Sequence, residues 1–263
     1  MPVAELDLSD DLALIREAAA QAGRIAMRFF RRDPEVWFKA GASPVSEADM
    51  AVDAFLKRVL IGERPDYGWI SEETADERAA MARSRSFIVD PIDGTRAFIE
   101  GSSVWCVSIG VVENGRPVAG VLDSPARGEA ISAVLGSGAR QNGEPIAVRT
   151  PVLPFDIAGP KTFINRLPQA LGSEVRSHPY VPSLAYRLAM VARGEIDGTF
   201  VKPNSHDWDL AAADVILSEA GGGLVRADGS PIRYATGNPR QGALAAASGR
   251  LLAAMRAVIA AES

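Results

Sequence analysis

The stretch Arg83 to Gly101, RSRSFIVDPIDGTRAFIEG, decides how the rest of the chain is read. Phe87, Ile88 and Val89 make an apolar run of the kind that forms a buried strand, and it leads straight into Asp90, Pro91, Ile92, Asp93, Gly94 and Thr95. Carboxylates at the end of a buried strand are costly unless something cationic meets them. Hard divalent cations want oxygen ligands, and a chain leaving the strand at Asp90 through a proline turn would swing both carboxylates and the Ile92 carbonyl toward one point. Gly94 and Thr95 would then open a helix whose free backbone N–H groups face an anion. The plainer alternative, a turn at Asp93-Gly94 with Asp90 as a helix cap, stays open on this stretch alone.

Three further acidic segments bear on it. In GWISEET, residues 68–74, Glu72 and Glu73 stand at the end of a strand, where paired acids repel unless a cation is bound or the pair is solvated. In HDWDLAAADVILSEAGG, residues 206–222, Asp209 falls in the first turn of a helix whose Trp208 and alanines pack inward, although Asp207 or Asp209 could simply cap that helix. In SPVSEAD, residues 43–49, Ser46 and Asp49 have the spacing of a capping box.

Around these segments, apolar spacing predicts a helix from Asp10 to Arg32 and a second from Ser46 to about Leu60, ended by Gly62. YGWISEE, SFIVDP, WCVSIGVV and PVAGVLDSP read as strands, with Asn114-Gly115 and Asn142-Gly143 as hairpin turns. The first half is thus helices followed by antiparallel strands, an α+β lobe over residues 1–150. The proline-bearing TPVLPFDIAGP marks a boundary, and an α/β lobe over 151–263 follows, with SLAYRLAMVARGE and DWDLAAADVILSEAGGG as its clearest helices.

Bulk properties narrow the function. The chain has 263 residues, 28 Lys and Arg against 33 Asp and Glu, and no basic stripe, which argues against a nucleic-acid polymer as partner. No apolar run is long enough to span a bilayer, and the acidic N-terminus lacks the pattern of a secretory signal, so a cytoplasmic protein with no membrane partner is expected. The single cysteine, Cys106, reads as buried core, and two histidines leave no material for the usual Cys/His zinc site.

Together, Glu72-Glu73, DPIDGT at 90–95 and WDLAAADVILSEAGG from Trp208 resemble the Mg²⁺-dependent, lithium-sensitive inositol monophosphatase family. The resemblance implies the layered α-β-α-β-α sandwich of the inositol monophosphatase and fructose-1,6-bisphosphatase type. It implies a phosphomonoesterase acting on a small phosphorylated metabolite, two or three Mg²⁺ ions, and a homodimer. The implied metal ligands are Glu72, Glu73, Asp90, the Ile92 carbonyl, Asp93 and Asp209, with Asp90 bridging two ions. Asp49 and Thr95 would position and deprotonate the attacking water carried near Glu72, and the amides of Gly94 and Thr95 would hold phosphate. The substrate is expected to meet Asp93, Gly94, Thr95, Ser183, Lys202 and Asp209. Two departures concern substrate: Pro182 stands where the family's helix opening carries glycine, and Val201 or Lys202 stands where inositol phosphatases place a hydroxyl-accepting glutamate. A lysine cannot accept from a hydroxyl, so Lys202 favours a second negative group, and the 3'(2'),5'-bisphosphate nucleotidase and histidinol-phosphatase branches remain open. A haloacid-dehalogenase-type phosphatase fits less well, since its two aspartates sit two apart and these sit three apart. A metal-binding regulatory protein on the same fold is the non-enzymatic alternative.

Overall fold

The structure is a computed structural model that describes residues 8–38, 44–74 and 83–261; the first seven residues of the acidic N-terminus lie outside them. Helix α1 (Leu8–Ala26) leads to the short strands β1 (Val36–Phe38) and β2 (Pro44–Ser46), then helix α2 (Glu47–Glu63). Next come β3 (Gly68–Ser71), β4 (Arg85–Asp93), the short helix α3 (Thr95–Ile99), β5 (Cys106–Glu113), β6 (Arg116–Ser124), β7 (Glu129–Val134), β8 (Ala139–Gln141) and β9 (Glu144–Ile146). The remainder supplies β10 (Phe155–Ala158), α4 (Lys161–Ile164), α5 (Leu167–Leu171), β11 (Val175–Ser177), α6 (Leu184–Ala192), β12 (Gly198–Val201), α7 (Asp207–Glu219), β13 (Gly223–Arg226), β14 (Leu244–Ala247) and α8 (Gly249–Ala260).

Strands β3 to β9 form one sheet in sequence order, and β11-β10-β12-β14-β13 form a second. Three apolar clusters order the layers. Ile15, Leu56 and their neighbours on α1 and α2 pack on Phe87, Val89 and Ile109 at the outer face of the first sheet. Leu188, Leu210 and Ile216 on α6 and α7 fill the space between the two sheets. Met255 and Ile259 on α8 cover the far face of the second. The α-β-α-β-α sandwich follows from this alternation of burial.

The middle layer sits unusually close to the first sheet. Gly110 and Gly120 oppose each other across β5 and β6, and a Cβ at Gly120 would lie 2.6 Å from the Ala212 carbonyl oxygen. Glycine in the strands and alanine on the helix let two backbones approach where larger side chains would hold them apart.

Three local expectations change. The first helix stops at Ala26 rather than Arg32, because Arg31 and Asp33 take positive φ and the chain turns to pack Phe30 on Phe98 and Trp105, with ring centroids 5.5 and 5.6 Å away. Gly62 lies inside α2 instead of ending it, and the helix closes at Glu63, capped by Arg64 N–H to Leu60 O. The first sheet is antiparallel from β4 to β9, as expected, but β3 pairs with β4 in parallel, Ser71 opposite Val89. Parallel pairing needs a crossover rather than a hairpin, and it sets the C-terminal ends of both strands at the same edge.

Candidate active site

The pairing of β4 explains the spacing of its two acids. Asp90 opposes Ser108 and Asp93 opposes Cys106, so three steps on β4 match two on β5, a β-bulge. Residues three apart on an unbroken strand face opposite sides. The extra residue returns Asp93 to the side shared by Asp90 and Ile88, while Val89 and Ile92 face α1 and α2. Pro91 is tolerated because a bulge has no ladder bond for it to break. The strand therefore runs on to Asp93, where the sequence reading has the chain leave it at Asp90.

Helix α7 brings the third acid. Ligand atoms of Asp90, Asp93 and Asp209 lie within 4.8 Å of one another. Asp209 sits one turn into α7, where its Oδ2 accepts the His206 N–H at 2.7 Å, and the His206 ring stacks on Trp208. Asp207, the other candidate, is turned away and anchors the following loop, accepting from Ala235 N–H at 2.8 Å and from Gln241 Nε2 at 2.7 Å. Parallel pairing of β3 carries Glu72 to the same edge, where its N–H donates to Val89 O at 3.2 Å. Glu73 stands next to it, half-buried, its N–H donating to Ser71 Oγ at 3.3 Å.

Electrostatics in this cluster are unfavourable for the chain alone. Burial, with the charges of Glu72 and the neighbouring aspartates, pushes Asp90 well above the usual carboxylate range. Asp209 is pushed the same way, by burial first and then Asp93. Burial also raises Asp93, although Ser183, Ala185 and Leu184 all donate to it. Among the described residues no lysine or arginine forms an ion pair with any of the three. Three carboxylates close together, two of them buried, with only the His206 ring, 4.0 Å from Asp209 Oδ2, as an ion-pair partner among the described residues, suit a hard divalent cation.

Asp49 is both a cap and a member of the site. Its Oδ2 accepts from Ser46 N–H and Oγ at 2.8 and 2.6 Å, and its Oδ1 accepts from Thr95 Oγ1 at 3.1 Å. Burial outweighs these hydrogen bonds and raises its pKa to about 6. Thr95 Oγ1 also lies 3.0 Å from Ile92 O, and the Ile92 N–H donates to Asp90 Oδ1 at 3.0 Å, so one turn links Asp90 to Asp49 through Ile92 and Thr95. Gly94 has φ 99°, and a Cβ there would press on Ser183 and on the Val104 carbonyl at 3.2 Å.

Ser183 departs from its expected place at the substrate. It is fully buried; its hydroxyl donates to Asp93 Oδ2 and accepts from Tyr186 N–H at 3.1 Å as the cap of α6. Leu184 and Ala185 N–H groups add bonds of 3.3 and 2.7 Å to the same carboxylate. Lys202 is exposed and lines a cavity of about 610 Å³ that also takes in Asp93 and Asp209. Cys106 is fully buried, as expected, its Sγ 4.0 Å from Asp93 Oδ2.

Sequence reasoning missed the brace behind Glu72. Buried Asp53 accepts from Ser71 Oγ and, at 2.8 Å, from Thr74 Oγ1, and Thr74 in turn accepts from Trp69 Nε1 at 3.0 Å. Its signal was present: Asp49 and Asp53 are four apart, on one face of α2.

Comparison with known proteins shows the family and the fold. A sequence model of the inositol monophosphatase family matches residues 7–260. The chain is 33% identical over 228 residues to a histidinol-phosphatase of Chlorobaculum parvum, covering 82% of this chain and 85% of that one. It is also 33% identical over 227 residues to inositol monophosphatase 3 of Solanum lycopersicum, covering 81% and 85%. Among solved structures, an IMPase of Thermotoga maritima superposes with a TM-score of 0.82 at 25% identity, over 97% of this chain and 100% of the other. The extragenic suppressor protein suhB of Bartonella henselae gives 0.81 at 27% identity, over 95% and 98%.

Proposed function

Because this chain belongs to the inositol monophosphatase family, we propose that it is a Mg²⁺-dependent phosphatase that hydrolyses a small phosphomonoester with water as nucleophile. The observation that carries this reading is the trio of buried Asp90 and Asp93 with half-buried Asp209, ligand atoms within 4.8 Å of one another and no lysine or arginine ion pair to them among the described residues. Asp90, Asp93 and Asp209, with Glu72, Glu73 and the Ile92 carbonyl at the same edge, would hold two or three Mg²⁺ ions. When bound, these supply positive charge to the phosphoryl oxygens and to the oxygens entering and leaving phosphorus. On this reading the lobe of residues 1–150 contributes the β3 and β4 ends, and the lobe of 151–263 closes the site with Asp209.

The remaining steps belong to the chain. Thr95 Oγ1 gives its hydrogen bond to Asp49 Oδ1, which leaves its lone pairs to accept from the attacking water. As water adds to phosphorus and the ester P–O bond breaks, the water proton passes through Thr95 to Asp49, and the alcohol leaves with a proton from solvent. An Asp49 pKa near 6 suits a base that must take and release that proton near neutrality. The Gly94 and Thr95 amides hold the phosphate, and Ser183 serves by fixing Asp93 rather than by touching substrate.

The test is phosphate release, with Mg²⁺ present, from inositol 1-phosphate, histidinol phosphate, adenosine 3',5'-bisphosphate and fructose 1,6-bisphosphate. Asp93→Asn and Asp209→Asn should each abolish release from whichever ester is used, with circular dichroism unchanged, and millimolar lithium should inhibit the parent enzyme. Full turnover by both variants, or no release from any ester by the parent, refutes the reading. Thr95→Ala should lower kcat by about 10²- to 10⁴-fold, with Thr95→Ser restoring most of it.

A further inference from the structure

The cavity beside Asp93 and Asp209 contains two polar groups that the described chain leaves unsatisfied. Arg187 Nε and Ser205 Oγ are buried without a hydrogen-bond partner among the described residues, and both residues line that cavity. Arg187 donates from Nη2 to Phe200 O at 3.3 Å; no described carboxylate forms an ion pair with it, although the charge of Asp93 reaches it across the cavity and partly offsets its burial. Arg193, just past the end of α6, also has a buried Nε without a hydrogen bond, but acids lie beside its guanidinium: Glu129 and Glu195 are 2.9 and 3.0 Å from it, and Tyr186 shares the cluster. A buried guanidinium lacking such partners is strongly destabilising unless an anion joins it.

Charge around the cavity is segregated. Among the described lining residues Asp93 and Asp209 are the only acids, while Arg187, His178 and the exposed Lys161 and Lys202 also line the cavity. Arg187 is three residues beyond Leu184, whose amide holds Asp93, so it lies about 4.5 Å further along the axis of α6. Helical side chains lean toward the N-terminus, which turns the long Arg187 side chain back toward the acidic end of the cavity.

We propose that Arg187, assisted by Ser205, is the specificity-determining group of this site and holds a second anionic group, phosphate or carboxylate, on the alcohol part of the substrate. The guanidinium donates to that anion from two of its nitrogens, a two-point geometry that lysine cannot reproduce. The proposal takes from the phosphatase reading the identity of the group held at the acidic end.

The experiment compares matched esters on the Mg²⁺-loaded enzyme. Adenosine 3',5'-bisphosphate against adenosine 3'-phosphate tests a second phosphate, and phosphoglycerate against glycerol phosphate tests a carboxylate. In one pair the parent enzyme should prefer the doubly anionic member by about 10- to 100-fold in kcat/KM, expressed in KM. Arg187→Gln should bring that ratio close to one and Arg187→Lys should keep part of it. A purely structural role for Arg187 lowers both members alike and leaves the ratio standing, which overturns the proposal, as does a parent ratio of one in both pairs. Should Arg187→Gln fail to fold, Ser205→Ala is read through the same ratio, with a fall of about 3- to 10-fold expected. Calorimetric binding of adenosine 5'-phosphate and of glycerate separates the two readings. Binding that Arg187→Gln weakens, without hydrolysis of any ester, sinks the phosphatase reading and keeps the anion receptor; hydrolysis with binding indifferent to Arg187 does the reverse.

Discussion

Single residues here act through one another. Asp93 is held by a hydroxyl and two amides at the start of α6, so its orientation depends on Ser183, ninety positions away in sequence. Ser183→Ala removes the hydroxyl while leaving the amides, and the expected result is a Mg²⁺ requirement raised by about 10- to 100-fold with kcat at saturating Mg²⁺ much less affected. A Mg²⁺ titration of activity reads this directly. The acids themselves were legible because Asp90, Asp93 and Asp209 sit in strings whose chemistry is local. Ser183's partner was not, since nothing in PSLAY says that a carboxylate from a distant strand will land on that helix start. Arg187 was hidden for the opposite reason: a lone arginine in an apolar helix reads as a solvated edge until its surroundings are known.

At the scale of elements, the decisive contact is α7 against β5 and β6. Gly120→Ala would drive a methyl group to within 2.6 Å of the Ala212 carbonyl and 2.8 Å of Val215 Cγ1. The helix must move outward, at about 1–3 kcal/mol of stability. Because α7 carries Asp209, the variant should lose Mg²⁺ affinity as well as stability, measurable together by denaturant unfolding and metal titration. Further along α7, half-buried Asp214 accepts from Tyr234 OH at 2.8 Å, and loss of solvent around it raises its pKa from 3.8 to about 6. The folded chain then binds this proton more tightly than the unfolded chain does. Its stabilising effect is complete below about pH 4 and is lost as pH rises through about 6, a difference on the order of 3 kcal/mol. Asp214→Asn should flatten that dependence, seen as a higher Tm than the parent at pH 8 and near parity at pH 4. Sequence pattern foresaw α7, its alanines and both Asn-Gly hairpins. It missed the parallel pairing of β3 and the bulge in β4, since both are set by partners across the sheet rather than by local composition.

For the whole molecule, the acidic cluster couples folding to its ligand. The carboxylates of Asp90, Asp93 and Asp209 come together only in the folded chain and repel one another there. Mg²⁺ at about 100 times its Kd should stabilise the fold by about 2.7 kcal/mol, which for a chain of this size raises Tm by about 5–11 °C. Scanning calorimetry with and without Mg²⁺ checks this, and Asp93→Asn should erase most of the difference. The reach of Ser183 back to Asp93 also has a consequence in time. A ribosome adding roughly 5 to 20 residues each second delivers β4 about 5 to 20 s before the helix start that must hold it, a gap of 90 positions. Throughout that interval the nascent first sheet carries a half-built acidic edge, and only the arrival of α6 and α7 gives Asp93 its donors and brings Asp209 beside it.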